Sequence, residues 1–163
     1  MFITKVGIVG VEKGLKVLDD EIKSVMRNSQ RGLTHVANKI MRDARQITPK
    51  EYGNLRQSGF VVAKSGGREI QSGKFVDSKT ADVGRLEADH AEAIGLAKSE
   101  LSTHIGPAVE IGYSAYYFPY VHEKHFSNYT TPGTGPKFLE IAVRSNIRNA
   151  ISIFNTYLKK KTI

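Results

Sequence analysis

An α+β fold is predicted by three features of this 163-residue chain: a long amphipathic pattern near its start, another near its end, and short β-like pieces between. The expected architecture is a long N-terminal amphipathic helix and a C-terminal helix packed on a mainly antiparallel β-sheet, with a long hairpin arm and a short inserted helix. The first pattern runs from Asp19 to Ile47, where Ile22, Val25, Met26, Ser29, Leu33, Val36, Ala37, Ile40, Met41, Ala44 and Ile47 recur at steps of three and four, one face of a helix. Asp19, Asp20 and Glu21 suit its positive end, and Arg42 and Arg45 its negative end. Such a helix extends about 42 Å at 1.5 Å per residue, more than one small core covers. Part of it is therefore expected to meet another subunit, and Gly32 is a weak point.

The stretch TPKEYGNLRQSG then stops the helix. Pro49 disfavours helical geometry at Thr48, Gly53 permits a turn, and Leu55 resumes burial on a strand running to Ala63. Arg56 and Ser58 share one face of that strand, free to contact a helix end or a neighbouring subunit. Further strands are expected in the opening FITKVGIV, in GPAVEIGY from Gly106 to Tyr113, and in AYYFPYV from Ala115 to Val121. Residues 64–84, rich in glycine and polar groups, read as a hairpin loop or flexible arm. Leu86, His90, Ala93, Ile94, Ala97 and Leu101 fit a short third helix with an acidic outer face. After the loop TTPGTGP, Pro136 marks the start of a helix from Lys137 to Lys160, with Phe138, Leu139, Ala142, Val143, Ile147, Ala150, Ile151, Phe154 and Leu158 in one stripe.

Length favours one domain spanning 1–163, with the arm at about 64–84. The absence of cysteine excludes disulfides, thiolate metal sites and a cysteine nucleophile, and fits synthesis in a reducing cytoplasm. No apolar run approaches the roughly 18 residues of a membrane span, so no membrane partner is expected. The net charge of +8 is distributed in blocks: residues 1–81 carry 15 basic and 8 acidic groups (+7), residues 82–123 carry 2 and 7 (−5), and residues 124–163 carry 7 and 1 (+6). Alternating blocks suit contacts between subunits, or a basic surface lining a path for DNA; a solvated basic surface with no partner is the plainer reading.

Chemical motifs are weak. In HEKHF, His122 and His125 stand three apart after an aromatic run, whereas a zinc-protease helix needs histidines four apart. Ser58 lacks the G-x-S-x-G turn that would expose a nucleophile, and Lys74 is followed by Phe75, not the Ser or Thr of a phosphate-binding loop. The run YSAYYFPY contains no Lys or Arg to accompany base stacking and is broken by Pro119, so core packing and a subunit interface fit it better. No enzyme, cofactor or metal is expected.

Three stretches, in order, resemble the tail-completion or minor-capsid (head-tail joining, neck) protein family of long-tailed bacteriophages. They are the helix end ITPKEYGNLRQS, the element YVHEKH after an aromatic run, and GPKFLEIAV opening the last helix. The resemblance covers most of the chain. It departs at Tyr52, where the family usually has Thr, and in a longer, more helical insert at 81–104. By its motif positions it marks Pro49, Gly53, Leu55, Arg56, Ser58, Tyr120, His122, Glu123, Lys137, Phe138 and Leu139 as a structural joint or subunit interface. It implies a structural virion protein made in the host cytoplasm, a homo-oligomeric ring, commonly a hexamer, that contacts the head-tail connector or adaptor and tail-tube proteins while DNA passes transiently. Alternatives are a tail terminator ending tube polymerisation and, from another class, a basic nucleic-acid-binding module.

Overall fold

The computed structural model describes residues 11–65, 69–78, 82–129 and 131–159. Its elements are α1 (Val11–Ile47), α2 (Asn54–Gln57), β1 (Gly59–Ala63), α3 (Val83–Thr103), β2 (Val109–Tyr113), α4 (Phe118–Glu123) and α5 (Phe138–Leu158). The expected first strand, FITKVGIV, and parts of the arm lie outside the described residues.

The 37 residues of α1 extend about 55 Å, and the helix is amphipathic throughout. Its burial starts only at Asn28 and continues through Gln30, Thr34, Ala37, Met41 and Ala44. There α5 lies antiparallel to it. Asn146 Nδ2 donates to Asp43 Oδ2 at 2.7 Å, and His35 Nδ1 meets Tyr157 Oη at 3.0 Å. Gly32 does not break the helix: a Cβ there would stand 3.0 Å from the Phe154 ring and 3.2 Å from Tyr157 Cβ, so the glycine lets α5 approach closely. Because α1 already runs from Val11, the acidic trio at 19–21 lies inside the helix and not at its positive end.

The sheet is smaller than expected. Among the described residues it has two antiparallel strands, β1 and β2, in register from Gly59 opposite Tyr113 to Ala63 opposite Val109. All five residues of β1 are buried, which explains its unbroken apolar run. Val61 joins Met41, Ala44, Leu86, Tyr113 and Phe138 in the main core, while Phe60 and Val62 pack with Ala97 and Leu101 of α3. The strand is thus sandwiched between helices. Its second edge is closed by the arm, through a Phe60–Gln71 bridge and the Val61 N–H donating to the Ile70 carbonyl at 2.7 Å.

Two expected strand segments are helical. Asn54–Gln57 forms a single helical turn, so Leu55, Arg56 and Ser58 do not lie along a strand. The aromatic segment becomes α4, with Pro119 in its first turn, where the missing N–H costs nothing because it would have no intrahelical acceptor. The inserted helix α3 is 21 residues long, N-capped by Asp82, whose carboxylate accepts from the Arg85 N–H at 3.0 Å. Helix α5 starts one residue later than expected, after Lys137, which takes a left-handed conformation (φ 56°).

Candidate functional site

Chain direction reverses at Thr48–Ser58, and the three stretches singled out in the sequence meet there. Pro49 ends α1 after Ile47. Gly53, at φ +94°, turns the chain into α2, a conformation costly for any residue with a Cβ. Arg56 then folds back onto the end of α1: its Nε donates to the Thr48 carbonyl at 2.9 Å and Nη2 to the Gln46 carbonyl at 3.2 Å. These are the unpaired carbonyls of a helix C-terminus, where a cation is favoured. Leu55 enters the core, and Ser58, fully buried, donates its hydroxyl to the Leu55 carbonyl at 2.8 Å. Thr48 Oγ1 donates to the Ala44 carbonyl at 2.7 Å and meets Tyr113 Oη at 2.9 Å. Burial pushes the Tyr113 phenol up to about 12, keeping it a neutral hydroxyl.

The second and third stretches lock to each other beside this turn. The Lys137 N–H donates to the His122 carbonyl at 2.7 Å, and the Lys137 ammonium pairs with Glu123. Lys137, then His122, hold the Glu123 carboxyl below its ordinary range. The His122 imidazole packs edge-on against Phe138, with centroids 4.9 Å apart, and at a tilt against Phe118 at 5.1 Å. Phe138 also meets Tyr113 edge-on at 5.2 Å, and Phe118 stacks on Tyr113 at 5.2 Å. Leu139 packs on the rim of the same core. The Gly135 N–H reaches the Ile47 carbonyl at 3.3 Å, tying the loop before α5 to the end of α1. Between the turn and α4 lies a cavity of about 410 Å³ lined in part by Pro49, Tyr52, Leu55, Tyr117, Val121 and Tyr129.

Each marked residue has a defined place. Leu55, Ser58 and Phe138 are buried within the chain, so they belong to the joint and not to a subunit contact. Tyr120 is exposed, its hydroxyl accepting from Lys124 Nζ at 2.7 Å. Among the described residues no group of three His, Cys, Asp or Glu could hold a metal ion, and no helix is long and apolar enough to cross a membrane.

Four further residues, none of them marked from the sequence, hold this region together. Asn54 Nδ2 donates to the Val76 carbonyl at 2.8 Å while the Val76 N–H donates to Asn54 Oδ1 at 2.7 Å. Gln30 makes the same two-way clasp with the backbone of Ala108, at 2.9 and 3.0 Å. Arg45 reaches Ser72 Oγ at 2.8 Å and Gln57 Oε1 at 3.0 Å, joining α1, the arm and α2. His90 of α3 is buried between Ser114 Oγ, 2.7 Å from Nδ1, and the Ser72 carbonyl, 3.1 Å from Nε2. The Phe75 ring meets it edge-on at 5.7 Å. None of these four contacts was read from the sequence.

Burial lowers the His90 pKa below the ordinary imidazole value of 6.5, against a smaller opposing effect of the Ser72 carbonyl. Its contribution is therefore full above pH 6.5 and lost as pH falls from there through the lowered folded value, because the unfolded chain binds the proton first. Melting temperature should drop between pH 7 and 5, and His90→Gln should flatten that slope; an equal slope in the variant would assign the acid sensitivity to other groups.

No protein-family model matches the chain, and neither a curated protein nor a solved structure matches it.

Proposed function

We propose that this chain is a structural protein of the neck of a long-tailed phage. Copies of it form a ring, a hexamer by the resemblance, that completes the tail and joins it to the head connector while DNA passes. One observation carries the reading: the three stretches that resemble the family, the first far in sequence from the other two, form one joint through the Gly135–Ile47 bond, the Lys137–Glu123 pair and the His122–Phe138 contact. Motifs that converge on mutual support have a shared reason to occur together. The first 17 residues of α1 outside the core, Val11 to Arg27, supply the overhang that a neighbour in a ring would cover.

The test is particle composition. Virions purified from a phage encoding this chain should contain it at a fixed copy number, and particles lacking it should fail to join heads to tails. Absence from purified virions overturns the reading. Tails of abnormal length in the deletion would instead select the tail-terminator role, and a binding constant to DNA that falls steeply with salt, with no virion incorporation, would select the nucleic-acid module.

A further inference from the structure

The overhang of α1 carries Val11, Leu15, Leu18, Ile22 and Val25, each at least half exposed. Their spacing of four, three, four and three is the seam of a coiled-coil helix, and the flanking positions of such a seam choose the partner. Here the charged flanking residues are acidic: Glu12, Asp19 and Glu21. Lys13, Lys16 and Arg27 fall on the opposite face. Asp19 is paired with Lys23 at 2.5 Å. Two such helices set antiparallel would bring acidic flanks together, and set parallel would oppose Gly14 to Asp19 and Glu21 to Met26, with no attraction.

A second uncovered apolar stripe lies on α5. Ala142 and Asn146 face α1, whereas Val143, Ile147, Ile151 and Leu158 are exposed along an adjacent face. Its solvent flank is basic, with Arg144, Arg148 and Lys159; Arg144 is paired with Glu140 at 2.6 Å. The two stripes match in length, about 21 Å for Val11 to Val25 and about 22 Å for Val143 to Leu158 at 1.5 Å per residue. They also match in chemistry: an acidic-edged apolar seam and a basic-edged one.

We infer that the α1 overhang of one copy packs on the exposed α5 face of a second copy. Each copy then gives one surface and receives on another, a heterologous contact that closes into a ring when the rotation between neighbours permits. The inference shares with the neck reading the premise that copies of this chain associate. Its test is separate, because it reads which residues meet and not where the protein resides.

The chain has no cysteine, so single cysteines report unambiguously. Leu18 and Ile151 stand near the midpoints of their stripes and should meet whichever way the helices run. The full-length Leu18→Cys and Ile151→Cys proteins, mixed and oxidised, should give a crosslinked species containing one of each, while either alone stays uncrosslinked. Leu18→Cys crosslinking to itself, or no crosslink in the mixture, overturns the inference. Charge exchange is the second arm. Arg144→Glu with Arg148→Glu should weaken self-association about tenfold, and Glu12→Lys with Glu21→Lys should restore it. All four side chains are exposed, so circular dichroism should be unchanged; weakened association without restoration by the second pair counts against the contact. Virion incorporation with failed crosslinking would leave the neck reading standing and remove this contact, and the converse would do the opposite.

Discussion

Phe138→Ala should destabilise the protein by about 3–5 kcal/mol, the range for deleting a buried aromatic ring. Phe138 is fully buried and touches the rings of Tyr113, Phe118 and His122, drawn from β2 and α4. Removing it leaves a void where three elements meet, and their positions are fixed by other contacts: Tyr113 by Thr48 and the β-ladder, His122 by its carbonyl bond to Lys137. Collapse into the void is therefore limited, which places the cost toward the upper end. Urea unfolding measures it directly, and Phe138→Leu, which keeps much of the volume, should recover more than half the loss. A loss under about 1 kcal/mol would mean that the ring cluster repacks and is not the fixed centre described here.

Asn54→Asp should cost about 2–4 kcal/mol at neutral pH, a larger loss than Asn54→Ala, although it changes the shape of the side chain least. Asn54 is buried and presents its NH2 to the Val76 carbonyl and its oxygen to the Val76 N–H. Aspartate keeps the second bond but sets a charged oxygen against a carbonyl 2.8 Å away, a repulsive contact in a site with little water. Alanine only leaves the pair unmade. The sign of the pH response separates the two variants. A protonated aspartic acid regains a donor, so its folded pKa is raised, and the deficit relative to the native protein should shrink as pH falls toward 5 and below. The deficit of Asn54→Ala should stay constant. Proteolysis of the arm at residues 69–78 should quicken in both. An Asn54→Asp protein as stable as the native one would show that Val76 is held by other contacts.

Periodicity was a sound guide to the helices, because burial on one side leaves a step of three and four that survives any tertiary arrangement. It located α3 and α5 within a few residues and the end of α1 at Ile47. It failed where side-chain type and backbone state part company. Tyr117, Phe118 and Tyr120 have strand-like composition, but Pro119 fits a first helical turn and the rings reach their neighbours equally well from α4. Leu55 to Ser58 alternates like a strand, yet four residues cannot distinguish alternation from one helical turn. Among the described residues the sheet has two strands because two of the expected strand segments, Asn54–Gln57 and Phe118–Glu123, are helical. Of the joint, Pro49, Gly53 and the end-of-helix role of Arg56 were legible from residue chemistry. The clasps of Gln30 and Asn54 were not, since an amide that imitates a strand has no local signature.

The antiparallel pairing of α1 with α5 also constrains how the chain comes into being. The Asp43–Asn146 bond spans 103 residues, and α5 leaves the ribosome after every other described element. The apolar face of α1 from Gln30 to Ala44 is therefore synthesised well before α5 and stays uncovered by it until α5 follows. Throughout that interval the nascent chain presents a helix whose proper cover does not yet exist, and two nascent chains on one message could cover each other's helices instead.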